Sequence, residues 1–240
     1  MNDCVYVLET IKMLPGKRAE YLQAVENEYL PMVKRHGVRL FGFWETWDLH
    51  GDSLEARAMW EFDNWVHVRR FTEARYAQGK ADKDIGKWDD KVWTWIAHKE
   101  AECLTPSIST PPLEALLSKG IRAPVAWMED VKTVPGKFYQ YCEALEVQCA
   151  ALMEGYMGTG LVGFYLGCVA FTSNEVFNLW RWDGWDNMDV FDKAATPYAL
   201  LKGEPRPMYR EMMNWGEIAF SLRTHWTDRL LVPAPFSPIK

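Results

Sequence analysis

Cysteine is scarce in this 240-residue chain and follows no pattern. The five residues (Cys4, Cys103, Cys142, Cys149 and Cys168) include no C-x-x-C pair. An odd count without that spacing argues against a disulfide framework or a thiolate zinc site, and fits a reducing compartment. His36, His50, His67, His98 and His225 form neither H-x-H nor H-x-x-x-H, so no compact metal site is expected. There is no G-x-G-x-x-G, no P-loop and no G-x-S-x-G, which removes the local signatures of nucleotide binding and serine hydrolysis. A basic surplus is missing too. Lys and Arg number 27 against 33 Asp and Glu, a net charge of −6, so a nucleic-acid partner is not expected. The opening MNDCVYVLET has no basic stretch followed by an apolar core, which reads as cytoplasmic with no export signal. No long apolar run is present either. The uncharged residues 155–174 hold five glycines with Thr159, Thr172, Ser173 and Asn174. They read as two strands and a turn, not a membrane span.

What the chain does have is aromatic surface and a repeat. Thirteen Trp, 10 Tyr and 11 Phe exclude disorder and call for a large apolar interior. VLETIKMLPGK at 7–17 matches WMEDVKTVPGK at 127–137, an offset of half the chain. Tyr21, Ala24 and Glu26 match Tyr141, Ala144 and Glu146. Gly42-Phe43 matches Gly163-Phe164 after one inserted residue, and MWEFDNW (59–65) matches LWRWDGW (179–185). Phe71 pairs with Phe191 and Trp95 with Trp215 in this alignment. Two copies of this length indicate two similar domains, since a solenoid needs shorter and more numerous units.

Each copy reads as a strand (4–12, 124–132), a Pro-Gly break, a helix, two strands (38–47 with 54–62, 160–168 with 175–182), further helices and a last strand (99–104, 225–231). One of those helices is expected to carry Trp88, Val92, Trp95 and Ile96, or Met208, Met212, Trp215, Ala219 and Leu222. The order is that of the ferredoxin-like α+β fold. The division expected is repeat 1 at 1–104, a Pro-rich linker at 105–123, repeat 2 at 124–231 and a tail at 232–240. Such a sheet carries helices on one face only, so the two sheets are expected to cover each other and close into one α+β barrel with an aromatic lumen.

YLPMVKRHGVRLFGFWET (29–46), the strand ending near Trp60, the opening strand into Leu14-Pro15-Gly16-Lys17 and the ending LLVPAPFSPIK (230–240) resemble the NIPSNAP family of the dimeric α+β-barrel superfamily. The resemblance covers both halves and implies a tandem barrel. Its motifs are mostly structural. On the first strand, where the family usually has Glu and Arg, this chain has Val7 and Glu9, then Trp127 and Glu129. The family's third-strand histidine position is Ala58 and Asn178 here, so no family site carries over intact. The superfamily includes cofactor-free monooxygenases, isomerases, cyclases, haem enzymes and plain binding domains, and fold alone does not choose among them.

Residue chemistry narrows the choice. Glu9 and Glu129 occupy one position of a central strand in the two copies. A carboxylate packed against helices in a dry core is costly, so both are expected in the lumen, as general acid or base groups whose pKa burial raises. The alternative is that each is paired with an arginine such as Arg57 or Arg181, or sits at a solvated strand end. Trp60 and Trp180, with Asn178, share one face of the third strand and are expected to line the same lumen beside Trp127; as plain core aromatics they would have no role. Trp44 and Tyr165 are equivalent on the second strand, and Tyr165 could donate to an oxyanion. His36 is expected at a helix C-terminus, Cys142 and Cys149 as inert core thiols, and Cys168 as the most reactive of the five.

The resulting expectation is a cofactor-independent enzyme acting on a small apolar or aromatic substrate, of isomerase, cyclase, lyase or monooxygenase type, with no metal. A non-catalytic ligand-binding or scaffold protein and a haem-binding barrel are the alternatives. A small molecule is the partner expected, with neither nucleic acid nor membrane, and a homodimer stays open. Val7 against Trp127 and Ala58 against Asn178 point to a single pocket, with copy one supplying the space.

Overall fold

The computed structural model describes residues 2–47, 54–77, 81–157, 159–167, 174–187 and 207–240, without the side chains of 156–157 and 207–209. His50, Cys168, Phe191 and the Met208 side chain fall outside that set. The chain forms two compact units, residues 1–121 with 231–240 and residues 122–230. Both have the α+β order expected. Among the described residues no helix is long and apolar enough to cross a membrane.

Unit 1 runs β1 (Val5–Met13), α1 (Arg18–Ala24), a π-helical turn (Val25–Tyr29), α2 (Leu30–Arg35), β2 (Arg39–Thr46), β3 (Glu55–Phe62), α3 (Trp65–Tyr76), α4 (Lys83–Val92), β4 (Ile96–Pro106) and α5 (Leu113–Ser118). Its antiparallel sheet has the order β2-β3-β1-β4. Local chemistry sets the boundaries. Gly16 and Gly37 take positive φ, after β1 and after α2, where a side chain would strain the backbone. Asn64 caps α3 by accepting from the His67 N–H, and Asp82 caps α4 by accepting from that of Asp84. Helix α4 stops at Val92 and Ile96 opens β4, so the helix expected through Trp95 and Ile96 is one turn shorter.

The helices cover one face of this sheet. Tyr21, Ala24, Val25, Tyr29, Met32 and Val33 pack with Val5, Ile11, Ala56, Ala58, Trp60 and Phe62. On the other face the Tyr6 ring meets Phe41 edge-on, and the Tyr6 hydroxyl donates to buried Glu61. Glu61 also accepts from the Leu113 N–H and from Arg39. The Pro-rich connection is therefore folded onto unit 1, with Ser107, Thr110, Leu113 and Leu116 buried. The tail is anchored as well. Leu231–Pro233 pair with Thr46–Trp44 of β2, the Ala234 N–H donates to the Phe43 carbonyl, Ser237 Oγ accepts from the Phe43 N–H, and Ile239 is buried.

Unit 2 repeats the plan with β5 (Val125–Thr133), α6 (Phe138–Ala144), a second π-helical turn (Leu145–Cys149), α7 (Ala150–Met157), β6 (Thr159–Gly167), β7 (Glu175–Trp182), α8 (Pro207–Leu222) and β8 (Arg223–Pro233), the last entering unit 1 at Leu231. Its strand order is β6-β7-β5-β8. Registers coincide: Val7 faces Trp60 and Glu9 faces Ala58 in unit 1, as Trp127 faces Trp180 and Glu129 faces Asn178 in unit 2. Both second strands bulge at the same place, Leu40/Gly42 and Leu161/Gly163. One pairing of the sequence alignment is corrected. The Leu14 N–H donates to the Trp95 carbonyl, and its counterpart Val134 donates to Leu222. Leu222, not Trp215, is thus the structural equivalent of Trp95; Trp215 lies inside α8.

Candidate functional site

The alternation of β1 is as read from the sequence, but the face assignment is reversed. Glu9 lies on the helix-covered side of its own sheet, with Val5, Val7 and Ile11. Glu129 sits likewise among the helix-facing residues Tyr141, Trp180 and Cys149. The expected position on the opposite face rested on the cost of a dry carboxylate. That cost is met by hydrogen bonding instead. Trp60 and Trp180 face the helices for the same reason of alternation.

In unit 1 the carboxylate borders a cavity of about 440 Å³ between sheet and helices. Val7, Trp60, Phe62, Phe71 and Val92 form much of its apolar wall, and Tyr29, Arg75, Asp89 and Lys99 its polar part. Glu9 Oε2 accepts from Trp60 Nε1 at 2.8 Å, and Oε1 accepts from Lys99 Nζ at 2.9 Å. Each oxygen keeps a further lone-pair direction for a ligand hydroxyl. Tyr29, at the end of the π turn, stacks on Trp88 at 4.7 Å and meets Trp60 edge-on at 5.2 Å. Burial first, then the Glu9 charge, raises its phenol pKa, which leaves Tyr29 a neutral donor. Arg75 of α3 pairs with Asp89 of α4 at the cavity wall. Tyr76 and Trp93 line the same cavity and are more than half exposed, so they stand at its mouth.

Unit 2 keeps the carboxylate in different company. Glu129 Oε2 accepts from Trp180 Nε1 at 2.8 Å and from Asn178 Nδ2 at 3.0 Å, and Arg223 lies 3.7 Å from Oε1. Asn178 also donates to the Tyr141 hydroxyl, while its own Oδ1 is buried without a partner among the described residues. Burial raises the Glu129 pKa, opposed by the Trp180 and Asn178 hydrogen bonds, with Asp228 adding to the rise. Asp228 is raised by burial as well. The arginine alternative holds for Glu129 with a different partner, Arg223, while Glu9 pairs with Lys99; Arg57 and Arg181 lie beside Glu55 and Asp183.

The structure therefore brings Glu9 and Trp60 to one cavity, and Glu129, Asn178, Trp180 and Trp127 to one buried cluster. Trp44 and Tyr165 join neither. Each neighbours a helix-facing phenylalanine, Phe43 or Phe164, and so points from the other side of its sheet. The described histidines are engaged elsewhere: His36 with Asp82, His67 with the His36 carbonyl, His98 with Glu100 and His225 with Thr227. Burial pushes the Cys142 thiol up to about 11 and Cys149 higher still, in line with inert core thiols. Tyr29, Arg75 and Lys99 carry no site signature in the sequence, and Asp89, which the sequence puts with Asp90 and Lys91 in a solvated charge cluster, instead lines the cavity and pairs with Arg75. The one signal available was the replacement of Tyr29 by Cys149 at the same repeat position.

No family profile matches the sequence, and no curated protein matches it. Solved structures do. A candidate monooxygenase from Lactobacillus acidophilus aligns with a TM-score of 0.60 at 13% identity, over 96% of this chain and 94% of its own. An anthrone oxidase-like protein aligns with a TM-score of 0.59 at 10% identity, over 99% and 94%. A NIPSNAP domain protein from Burkholderia xenovorans covers 45% of this chain and 99% of its own, with a TM-score of 0.38 at 23% identity. At these identities the whole-chain matches show a shared fold and leave the chemistry to the site.

Proposed function

We propose that the unit 1 cavity binds a small hydroxylated aromatic molecule and that Glu9 moves a proton on it without a cofactor. The observation that carries this reading is a cavity of about 440 Å³ with the Glu9–Lys99 pair beside an aromatic wall. A pocket that is mostly apolar with a few convergent polar groups is the usual form of a small-molecule site. The pair also suggests how charge is managed. When Glu9 takes a proton from an acidic O–H or C–H, Lys99 loses its carboxylate partner and gains the substrate anion. The cation is then already in place as negative charge develops on substrate, which is how fixed charges lower a barrier.

The anion can be reprotonated at another atom, as in isomerisation or cyclisation, or trapped by dioxygen. The fold shared with a candidate monooxygenase and an anthrone oxidase-like protein favours the second course, in which dioxygen is the oxidant and a C–H₂ group leaves as C=O and water. The NIPSNAP-like ending and helix motif support reading the chain as a tandem relative of that family. A non-catalytic binding role is the second reading, and the neutralisation of Glu9 by Lys99 in the same structure favours it.

Oxygen uptake with anthrone separates the two. The catalytic reading expects uptake by the wild type and a fall of about 10²-fold or more in Glu9→Gln, the usual contribution of a general base. Glu9→Gln leaves the Lys99 charge unpaired, so Glu9→Gln/Lys99→Met is the folded control and should be equally inactive. Binding of 2-naphthol by a wild type that consumes no oxygen supports the binding role. Turnover unchanged in both variants overturns the assignment of Glu9.

A further inference from the structure

Over the described residues the two units carry one backbone plan with diverged side chains, so each is a natural variant of the other. In unit 1, Val7 lies opposite Trp60 in the β1–β3 register, and both line the cavity together with Phe62. In unit 2 the same three places hold Trp127, Trp180 and Trp182. The Trp127 ring stands 6.3 Å from each of the other two, at interplanar angles of 31° and 34°. It covers the two aromatics whose counterparts wall the cavity in unit 1.

The polar floor is kept beneath it. Glu9 and Glu129 each accept from a tryptophan Nε1 at 2.8 Å. An apolar core gains nothing from a buried carboxyl. Its recurrence in both units, open to a cavity in unit 1 and beneath an indole in unit 2, is what a shared ligand site would leave behind. The π turn makes the opposite exchange, Tyr29 in unit 1 for Cys149 in unit 2, so the space surrendered at the helix is taken up from the strand.

We infer that the residue at this strand position decides ligand access, Val7 holding the unit 1 site open and the Trp127 indole occupying the equivalent site of unit 2 as a built-in ligand. The inference rests on the small-aromatic reading of the cavity and deepens it in two ways. It names the ligand's shape, a planar fused aromatic ring system that carries at least the two rings of an indole. It also names the pose, a ring tilted over Trp60 and Phe62 as the Trp127 ring is tilted beside Trp180 and Trp182.

Two probes keep the inference separate from the functional reading. Xenon under pressure in crystals reports apolar space alone, and 2-naphthol titrated by calorimetry reports the aromatic ligand class. The wild type should take xenon over Trp60 and bind one 2-naphthol. Val7→Trp should lose that xenon site and at least tenfold in 2-naphthol affinity, with Val7→Phe intermediate. Trp127→Val should gain a xenon site over Trp180 and a second equivalent of 2-naphthol. Thermal melts establish that each variant is folded; if Val7→Trp is not, Val7→Phe and Trp127→Val decide. Xenon that tracks residues 7 and 127 without any 2-naphthol binding supports the size rule and sinks the aromatic-ligand reading. Xenon retained over Trp60 in Val7→Trp, or no new site in Trp127→Val, overturns the inference.

Discussion

Glu9 and Glu129 stand at one backbone position and differ in what neutralises them, an ammonium in the first case and neutral donors with a more distant guanidinium in the second. The difference has a consequence for pH. Burial raises the pKa of Glu129 above its ordinary 4.5 and that of Asp228 above 3.8. Between the ordinary and the raised values the folded chain holds more protons than the unfolded one, so stability falls as pH rises. The stabilisation is complete below about 4 and is lost as pH climbs through the raised values. Glu129→Gln keeps an acceptor for Trp180 without the ionisation. At pH values well above the ordinary 4.5 its melting temperature should exceed that of the wild type, and its fall with rising pH should be shallower. A variant with the same slope as the wild type would show that Glu129 does not carry the effect. At this scale the recurrence of Glu at 9 and 129 was legible, because position and chemistry repeat together. The partner Lys99 was not, since which β4 side chain reaches across to β1 depends on register and on the shift between Lys12 and Met13.

Secondary structure was largely readable, including the one-residue step in the repeat offset, which the structure explains as an addition in the helix and strand segment ahead of the matched bulges. The π turns were not. Helical spacing of apolar residues looks the same whether or not one residue is looped into a wider turn. In unit 1 that turn carries Tyr29 to the cavity. Deleting the exposed Asn27 should restore a regular helix, rotate Tyr29 away, and weaken 2-naphthol binding by tenfold or more while circular dichroism stays helical. Affinity equal to the wild type would mean that the turn has no bearing on the site. Two glycines offer a contrast in packing. A Cβ on Gly42 would stand 2.2 Å from the buried Trp44 ring, whereas one on Gly86, inside α4, meets nothing within 4 Å. Gly42→Ala should destabilise by about 1–3 kcal/mol through overpacking. Gly86→Ala should stabilise by about 0.5–1 kcal/mol through helix propensity. Urea denaturation of the pair checks both signs.

For the chain as a whole, duplication was the strongest signal and the α+β class followed from it. The face of the sheet that holds the carboxylates did not, because the desolvation cost of a carboxylate depends on its partners, and Trp60 and Lys99 meet Glu9 only in the folded chain. Nor did composition show that the proline-rich connection and tail fold onto unit 1; prolines mark where strands and helices stop, while the contacts of Leu113, Phe236 and Ile239 depend on tertiary packing. Removing residues 234–240 deletes Ala234, Phe236, Ser237 and Ile239 from unit 1. At roughly 1.5–3 kcal/mol for each large apolar side chain buried, the loss should be on the order of 3 kcal/mol, read as a lower urea midpoint. Removing Lys240 alone should leave the midpoint in place.

The central claim is that the unit 1 cavity takes a hydroxylated aromatic molecule against Glu9. A crystal structure of the protein saturated with 2-naphthol tests it most directly. The expected density is a ring lying over Trp60, with its hydroxyl within hydrogen-bond distance of a Glu9 oxygen. Naphthol bound only elsewhere on the chain, or a cavity filled by water at saturation, would contradict it.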